Sequence, residues 1–204
     1  MKKFLTIAIV PVVVIVAGGI IYWQYTRTPK YSLWQVKKSI EQHDLASFEK
    51  YVDVEGIASS FIVKILETSD VSGFEENLMI LAKPQLTKIL QQRIAEYVET
   101  GKFEEGKKSP ESEEPQGLLS KSWNKVRESK IVFQGISYVK KEGKIAYVGL
   151  ELFQEKYDTS LIMDLKMRDR GGYWQVAELS NFSEFMRKLD DLETERIAKL
   201  NKPI

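Results

Sequence analysis

Ile145-Ala146-Tyr147-Val148-Gly149-Leu150-Glu151-Leu152-Phe153-Gln154 and Ser160-Leu161-Ile162-Met163-Asp164-Leu165-Lys166-Met167-Arg168 decide the fold. Both stretches have a period of two. In the second, Leu161, Met163, Leu165 and Met167 point one way, and Ile162, Asp164, Lys166 and Arg168 the other. That alternation predicts strands, not helices. Residues 131–140 before them and 172–180 after them alternate in the same way. The links are short and rich in turn formers: Lys141-Glu142-Gly143-Lys144, residues 155–159, and Asp169-Arg170-Gly171. Links this short join antiparallel neighbours, so the region reads as a four-stranded meander. One face is dry and the other wetter, as in a sheet packed against helices.

On either side of the meander the period changes to that of a helix. Ser32 followed by Gln35 reads as a capping box, after which Leu33, Val36 and Ile40 share one face. Asp44 is placed to cap a second helix carrying Leu45, Phe48 and Tyr51. Asp53 is placed to cap a third, in which Val54, Ile57, Ala58, Phe61 and Ile65 form an apolar arc. Ser72 is the expected start of a fourth, with Pro84 either kinking it or opening a new helix. After the meander, Asn181 with Glu184 opens a last amphipathic helix, and the same Asn181 stands in a glycosylation sequon. Residues 101–117 contain only Phe103 as an apolar side chain and read as a mobile acidic loop.

The N-terminus is of a different kind. Residues 4–23 run for twenty positions without a charge, long enough as a helix to cross the hydrocarbon core. Tyr22, Trp23 and Tyr25 cluster at its end, where amphipathic rings sit at the headgroup level, and Arg27 follows. A cleaved secretory signal is the competing reading. The apolar run is longer than a signal core, and no small-residue cleavage site follows it. The expectation is therefore an uncleaved signal anchor over residues 1–30 and a soluble domain over 31–204. The basic residues on the two sides do not decide the orientation, but a three-residue head before a signal-like segment stays in the cytoplasm, so the domain is expected outside a cytoplasmic membrane crossed once. The whole is α+β: an N-terminal transmembrane helix, helices on a curved four-stranded antiparallel meander, and a C-terminal amphipathic helix.

Composition narrows the function. A net charge of +1 gives no electrostatic case for nucleic acid. With no cysteine and with His43 as the single histidine, cysteine nucleophiles and cysteine zinc sites are excluded. His43 reads as a helix-end residue near a C-terminal dipole. The expected inward residues of the sheet do not ionise; an inverted register would turn Tyr147, Glu151 or Asp164 inward.

Two stretches resemble known proteins. Tyr31-Ser32-Leu33-Trp34-Gln35-Val36-Lys37-Lys38-Ser39-Ile40, then His43-Asp44 and Phe48-Glu49-Lys50-Tyr51-Val52-Asp53, resemble the helical module of an uncharacterised bacterial family with anchored or exported members. Trp174-Gln175-Val176 is similar to the "Trp-x-Val/Leu" strand at that family's far end. More distantly, helices before a curved meander resemble the cone fold of the nuclear transport factor two relatives. That resemblance implies a fold and is silent on chemistry.

What remains is apolar. Met163, Met167, Trp174 and Leu150 are the candidates for lining a ligand pocket, with packing in the core as the commoner role of such a stripe. The expected partners are the lipid bilayer and either a membrane protein or an apolar ligand; no cofactor or metal is implied. The chain reads as a non-enzymatic, membrane-tethered binding module. An accessory subunit of a membrane complex and a small cone-fold hydrolase or isomerase are the alternatives.

Overall fold

The computed structural model describes residues 22–68, 74–102 and 130–200. The expected membrane span, apart from Tyr22 and Trp23, lies outside these residues, as do Ser72 and the expected loop from residue 103 onward. Among the described residues, no helix is long and apolar enough to cross a membrane.

The alternating stretches form β1 (Ile131–Glu142), β2 (Ile145–Gln154), β3 (Thr159–Asp169) and β4 (Trp174–Leu179). They lie in the order β1-β2-β3-β4, each antiparallel to the next. The class is α+β, and the meander follows from the link lengths. The first link is tighter than its four turn-forming residues imply. Glu142 pairs with Ile145, leaving Gly143 and Lys144 as the turn, with Gly143 at φ 62. A glycine takes that left-handed position without the Cβ penalty. Register shifts between Phe133 and Gly135 and between Ile136 and Tyr138 mark bulges in β1, and such bulges bend and twist a strand.

Direct pairing places Leu152 with Leu161, Leu150 with Met163, Val148 with Leu165 and Ala146 with Met167, all on one face. Val148, Met163, Leu165 and Met167 are buried there, and Lys166, Arg168 and Glu151 fall on the other face. The helices cover the dry face: α1 (Pro29–Glu41), α2 (Leu45–Tyr51), α3 (Val54–Thr68), α4 (Phe74–Thr100) and α5 (Phe182–Leu200). Phe48, Phe61, Ile62, Leu86, Leu90, Phe185 and Leu189 join the strand residues in one core. Phe61 of α3 meets Phe182 of α5 at 4.5 Å between ring centroids.

Local signals placed some helix ends and misplaced others. Asp44 caps α2 by accepting from the Ser47 N–H, and Asp53 caps α3 by accepting from Gly56 N–H. The Asp53 N–H also donates to the Val176 carbonyl at 2.8 Å, and Val52 bridges Val176, so the α2–α3 junction covers the outer edge of β4. Pro84 lies inside α4, which continues through it. Ser32 does not cap α1. The helix starts earlier, at Pro29, with Thr28 extended (φ −101, ψ 150) and accepting from the Tyr31 N–H. Proline at the first helical position lacks only an N–H that would be an orphan there, and it holds the preceding residue extended. Ser32 is instead fully buried, and its Oγ accepts the N–H of Trp174 at 2.9 Å.

Asn181 shows a second difference. Its carbonyl accepts from Phe185 N–H and so begins α5. Its side chain turns back to β3: Oδ1 accepts from Asp164 N–H at 2.8 Å and Nδ2 donates to the Ile162 carbonyl at 2.9 Å. A side-chain amide carries the same donor and acceptor as a peptide group. Asn181 therefore extends the β4 ladder by one step after the backbone has left it.

The Ser32–Trp174 bond ties the first helix to the last strand. Ser32→Ala leaves a buried strand N–H without an acceptor, so unfolding free energy falls by about 1–3 kcal/mol in denaturant titration. Ser32→Thr, which keeps the hydroxyl, recovers part of the loss. Equal loss in both variants would show that volume at this position, and not the hydrogen bond, is what matters.

Candidate functional site

The four pocket candidates share the dry face. Met163, Met167 and Trp174 are buried members of the core, in the company of Phe48, Val52, Phe61 and Phe185. Leu150, between Ile136 and Met163, is partly buried at the margin of that core.

Trp174 does more than fill space. Its indole Nε1–H donates to the Arg27 carbonyl at 3.0 Å, its backbone N–H donates to Ser32, and the Lys141 ammonium stands 5.4 Å from the ring centroid. A buried indole needs a partner for its N–H, and here that partner is backbone at the start of the described chain. Two groups that sequence reading kept apart, the pocket candidate Trp174 and the membrane-interface candidate Arg27, are thus directly bonded.

Residues 22–34 form a connected aromatic and cationic surface. The Arg27 guanidinium lies 3.7 Å from the centroid of the Trp23 ring. Tyr25 meets Tyr31 edge-on at 5.6 Å, and Tyr31 meets Trp34 at 5.9 Å. Lys38 stands 5.5 Å over Trp34. Tyr22, Trp23, Tyr25 and Trp34 are exposed, Trp34 by 52%. The hydroxyls of Thr26 and Thr28 donate to the carbonyls of Trp23 and Tyr25, so the turn before α1 has satisfied ends. Sequence reading singled out Tyr22, Trp23, Tyr25 and Arg27 and did not include Trp34, which adjoins them through Tyr31. Its spacing of three from Tyr31 on a helix was the available signal.

The ionisable groups of the sheet centre stand on the opposite face. Tyr138, Gly149 and Asp164 are aligned across β1, β2 and β3. A Cβ at Gly149 would come within 2.4 Å of the Tyr138 ring, so the glycine lets the ring lie across the strand. The Tyr138 hydroxyl then donates to Asp164 Oδ1 at 2.5 Å. That bond, helped by burial and by the carboxylate charge, raises the phenol to about 12. Glu151 and Tyr147 also fall on this outer face.

His43 takes φ 56 at the end of α1, and its Nδ1 lies 2.9 Å from the Val98 carbonyl. Because a carbonyl only accepts, Nδ1 carries the proton, and His43 satisfies a carbonyl in the last turn of α4. Among the described residues, no group of three or more His, Asp or Glu is arranged to hold a metal ion. Gln154 is fully buried at the far end of β2. Its Nε2 donates to the Leu152 carbonyl at 3.3 Å, while Oε1 has no hydrogen-bond partner among the described residues.

The Tyr138–Asp164 bond has a defined pH window. Only the neutral phenol donates, and its folded-state value lies above the ordinary 10.0. The stabilisation is therefore complete below pH 10 and is lost as pH rises through about 12. The stability difference between the wild-type chain and Tyr138→Phe should be constant below pH 10 and shrink above it, as measured by denaturant titration. A difference that does not change with pH would show that the hydroxyl contributes packing alone. No family model, curated protein or solved structure matches the chain.

Proposed function

We propose that the chain is a non-enzymatic binding module tethered by residues 4–23 to a bacterial cytoplasmic membrane, with its α+β domain on the outer face. The observation that carries the tether is the bond between Trp174 and Arg27. It ties Arg27, four residues beyond the apolar run of residues 4–23, to the sheet, and the Arg27 guanidinium stacks on the exposed Trp23 ring at the end of that run. The helices-then-meander order supports the likeness to the cone fold as part of the same reading.

Binding is supported by the state of the two sheet edges. The β4 edge is covered by Val52 and Asp53. Among the described residues, no strand pairs with the outer edge of β1, and its first residues are apolar. Val132 on one face and Phe133 on the other are exposed by 43% and 48%. An edge with free backbone groups and uncharged, exposed side chains accepts an added strand from a partner. At the other end Lys140 and Lys141 discourage such pairing. The non-enzymatic part rests on apolar residues facing the core, with Asp164, Glu151 and Tyr138 on the other face.

An accessory subunit of a membrane complex is the second reading, favoured by the exposure of Trp23 and Tyr25. Capture from membranes in mild detergent, read by mass spectrometry, separates the two. The binding reading expects a protein held by the wild-type chain and lost with Phe133→Glu, whose circular dichroism melt is unchanged. A protein kept by Phe133→Glu but lost when Trp23 and Tyr25 become alanine supports the subunit. Capture of nothing by the wild-type chain counts against both.

A further inference from the structure

We infer that α1 lies in the headgroup layer of an anionic membrane, so that the α+β domain rests on the lipid surface in one orientation. This rests on the tether proposed above and adds a second lipid contact. The helical turn at residues 22–26 ends in a bend, and the extended Thr28 with Pro29 starts α1 as a separate helix. The chain thus changes direction at residues 27–28, one helical turn beyond the end of the apolar run of residues 4–23.

The two sides of α1 differ. Pro29, Ser32 and Ser39 are buried, and Leu33, Val36 and Ile40 pack against the core. Lys30, Trp34, Lys37 and Glu41 recur at helical spacing on the exposed side, with Tyr31 and Lys38 beside them. Trp34 touches the Tyr31 ring and the Lys38 ammonium, and the ring contacts continue from Tyr31 to Tyr25. The contacts therefore run in sequence from Tyr25, two residues past the apolar run, to Lys38 in the third turn of α1.

Its chemistry fits lipid better than protein. Within residues 22–41, Arg27, Lys30, Lys37 and Lys38 stand with a single acid, Glu41, which is paired with Lys37 at 2.7 Å. Cations set among tryptophan and tyrosine match the phosphate and carbonyl layer of a bilayer. Basic residues next to a membrane segment are drawn to anionic headgroups. The Trp174–Arg27 and Trp174–Ser32 bonds hold this surface rigidly to the sheet, so that docking α1 also orients the sheet.

The chain has no cysteine, so one introduced cysteine carries one nitroxide label. Full-length protein is reconstituted in vesicles of phosphatidylcholine with phosphatidylglycerol. Labels are placed singly at Tyr22→Cys, Lys37→Cys and Glu195→Cys. Glu195 is exposed on α5, two residues after Glu193, whose ion pair with Lys156 of the β2–β3 link marks the end of the sheet opposite Trp174. A water-soluble nickel relaxant should reach position 195 freely and positions 22 and 37 severalfold less. Adding Trp34→Glu should return position 37 to water while position 22 stays protected. Protection at 22 with free access at 37 overturns the docking of α1 and leaves the tether standing. Failure of the protein to float with the vesicles overturns both.

Discussion

Trp174 is the residue through which the two ends of the chain are held together. As the first residue of β4 it packs its ring in the core, and it uses both N–H groups on the N-terminal segment. The Ser32 hydroxyl takes the backbone donor and the Arg27 carbonyl takes the indole donor. A buried donor without an acceptor is costly, so the position of α1 and the register of β4 constrain each other. The parallel bridge from Val52 to Val176 repeats the arrangement two residues along the strand. The last strand therefore has helix junctions for its outer neighbours, and β1 is left as the edge with free backbone groups among the described residues.

The meander was legible because alternation is a local property of strands. Inner residues such as Val148, Leu165 and Met167 are buried, and Lys166 and Arg168 stand opposite them, as period two requires. Asp44 and Asp53 were legible as caps because a capping carboxylate bonds an N–H only three residues away. Ser32 was misread for the opposite reason. A serine before a helical pattern resembles a cap, but its partner lies 142 residues away in sequence. Asn181 was half legible: its carbonyl starts the helix, while its amide serves a strand that local pattern cannot locate. Trp34 was missed because the boundary between anchor and domain was drawn at residue 30, and α1 runs across it.

The two faces of the sheet are built by different rules. On the dry face, large apolar side chains from four strands and the helices fill one volume, with Gln154, Ser32 and Ser39 as buried polar residues. On the outer face, order comes from specific pairs: Tyr138 reaching Asp164 over Gly149, and Ser160 donating to Gln134 at 3.0 Å. Lys64 of α3 joins the two systems. It donates to the carbonyls of Leu179 and Ser180 and pairs with Glu178, which also lies 3.6 Å from Lys166. An ammonium with three donors suits the end of a strand, where successive carbonyls have run out of ladder partners.

A flexible linker would let the domain turn freely above a membrane, and the bonded junction removes that freedom. Thr28 is fixed by two hydrogen bonds of its own hydroxyl, to Tyr25 and Tyr31, and Pro29 allows only a narrow range of φ. The residue on the near side, Arg27, is held by Trp174 through its carbonyl and by Trp23 through its guanidinium. Arg27 and Thr28, the last two residues before α1, thus both have partners beyond the turn, in Trp174 and Tyr31. If residues 4–23 span a bilayer, the direction of the span sets the direction of the sheet. The open half of β1, with Val132 and Phe133, would then be presented at one height and one angle. A partner confined to the same membrane meets such an edge with much of its orientational search already done. That reduces the entropic cost of association for a short strand-to-strand contact that would be weak between freely diffusing chains.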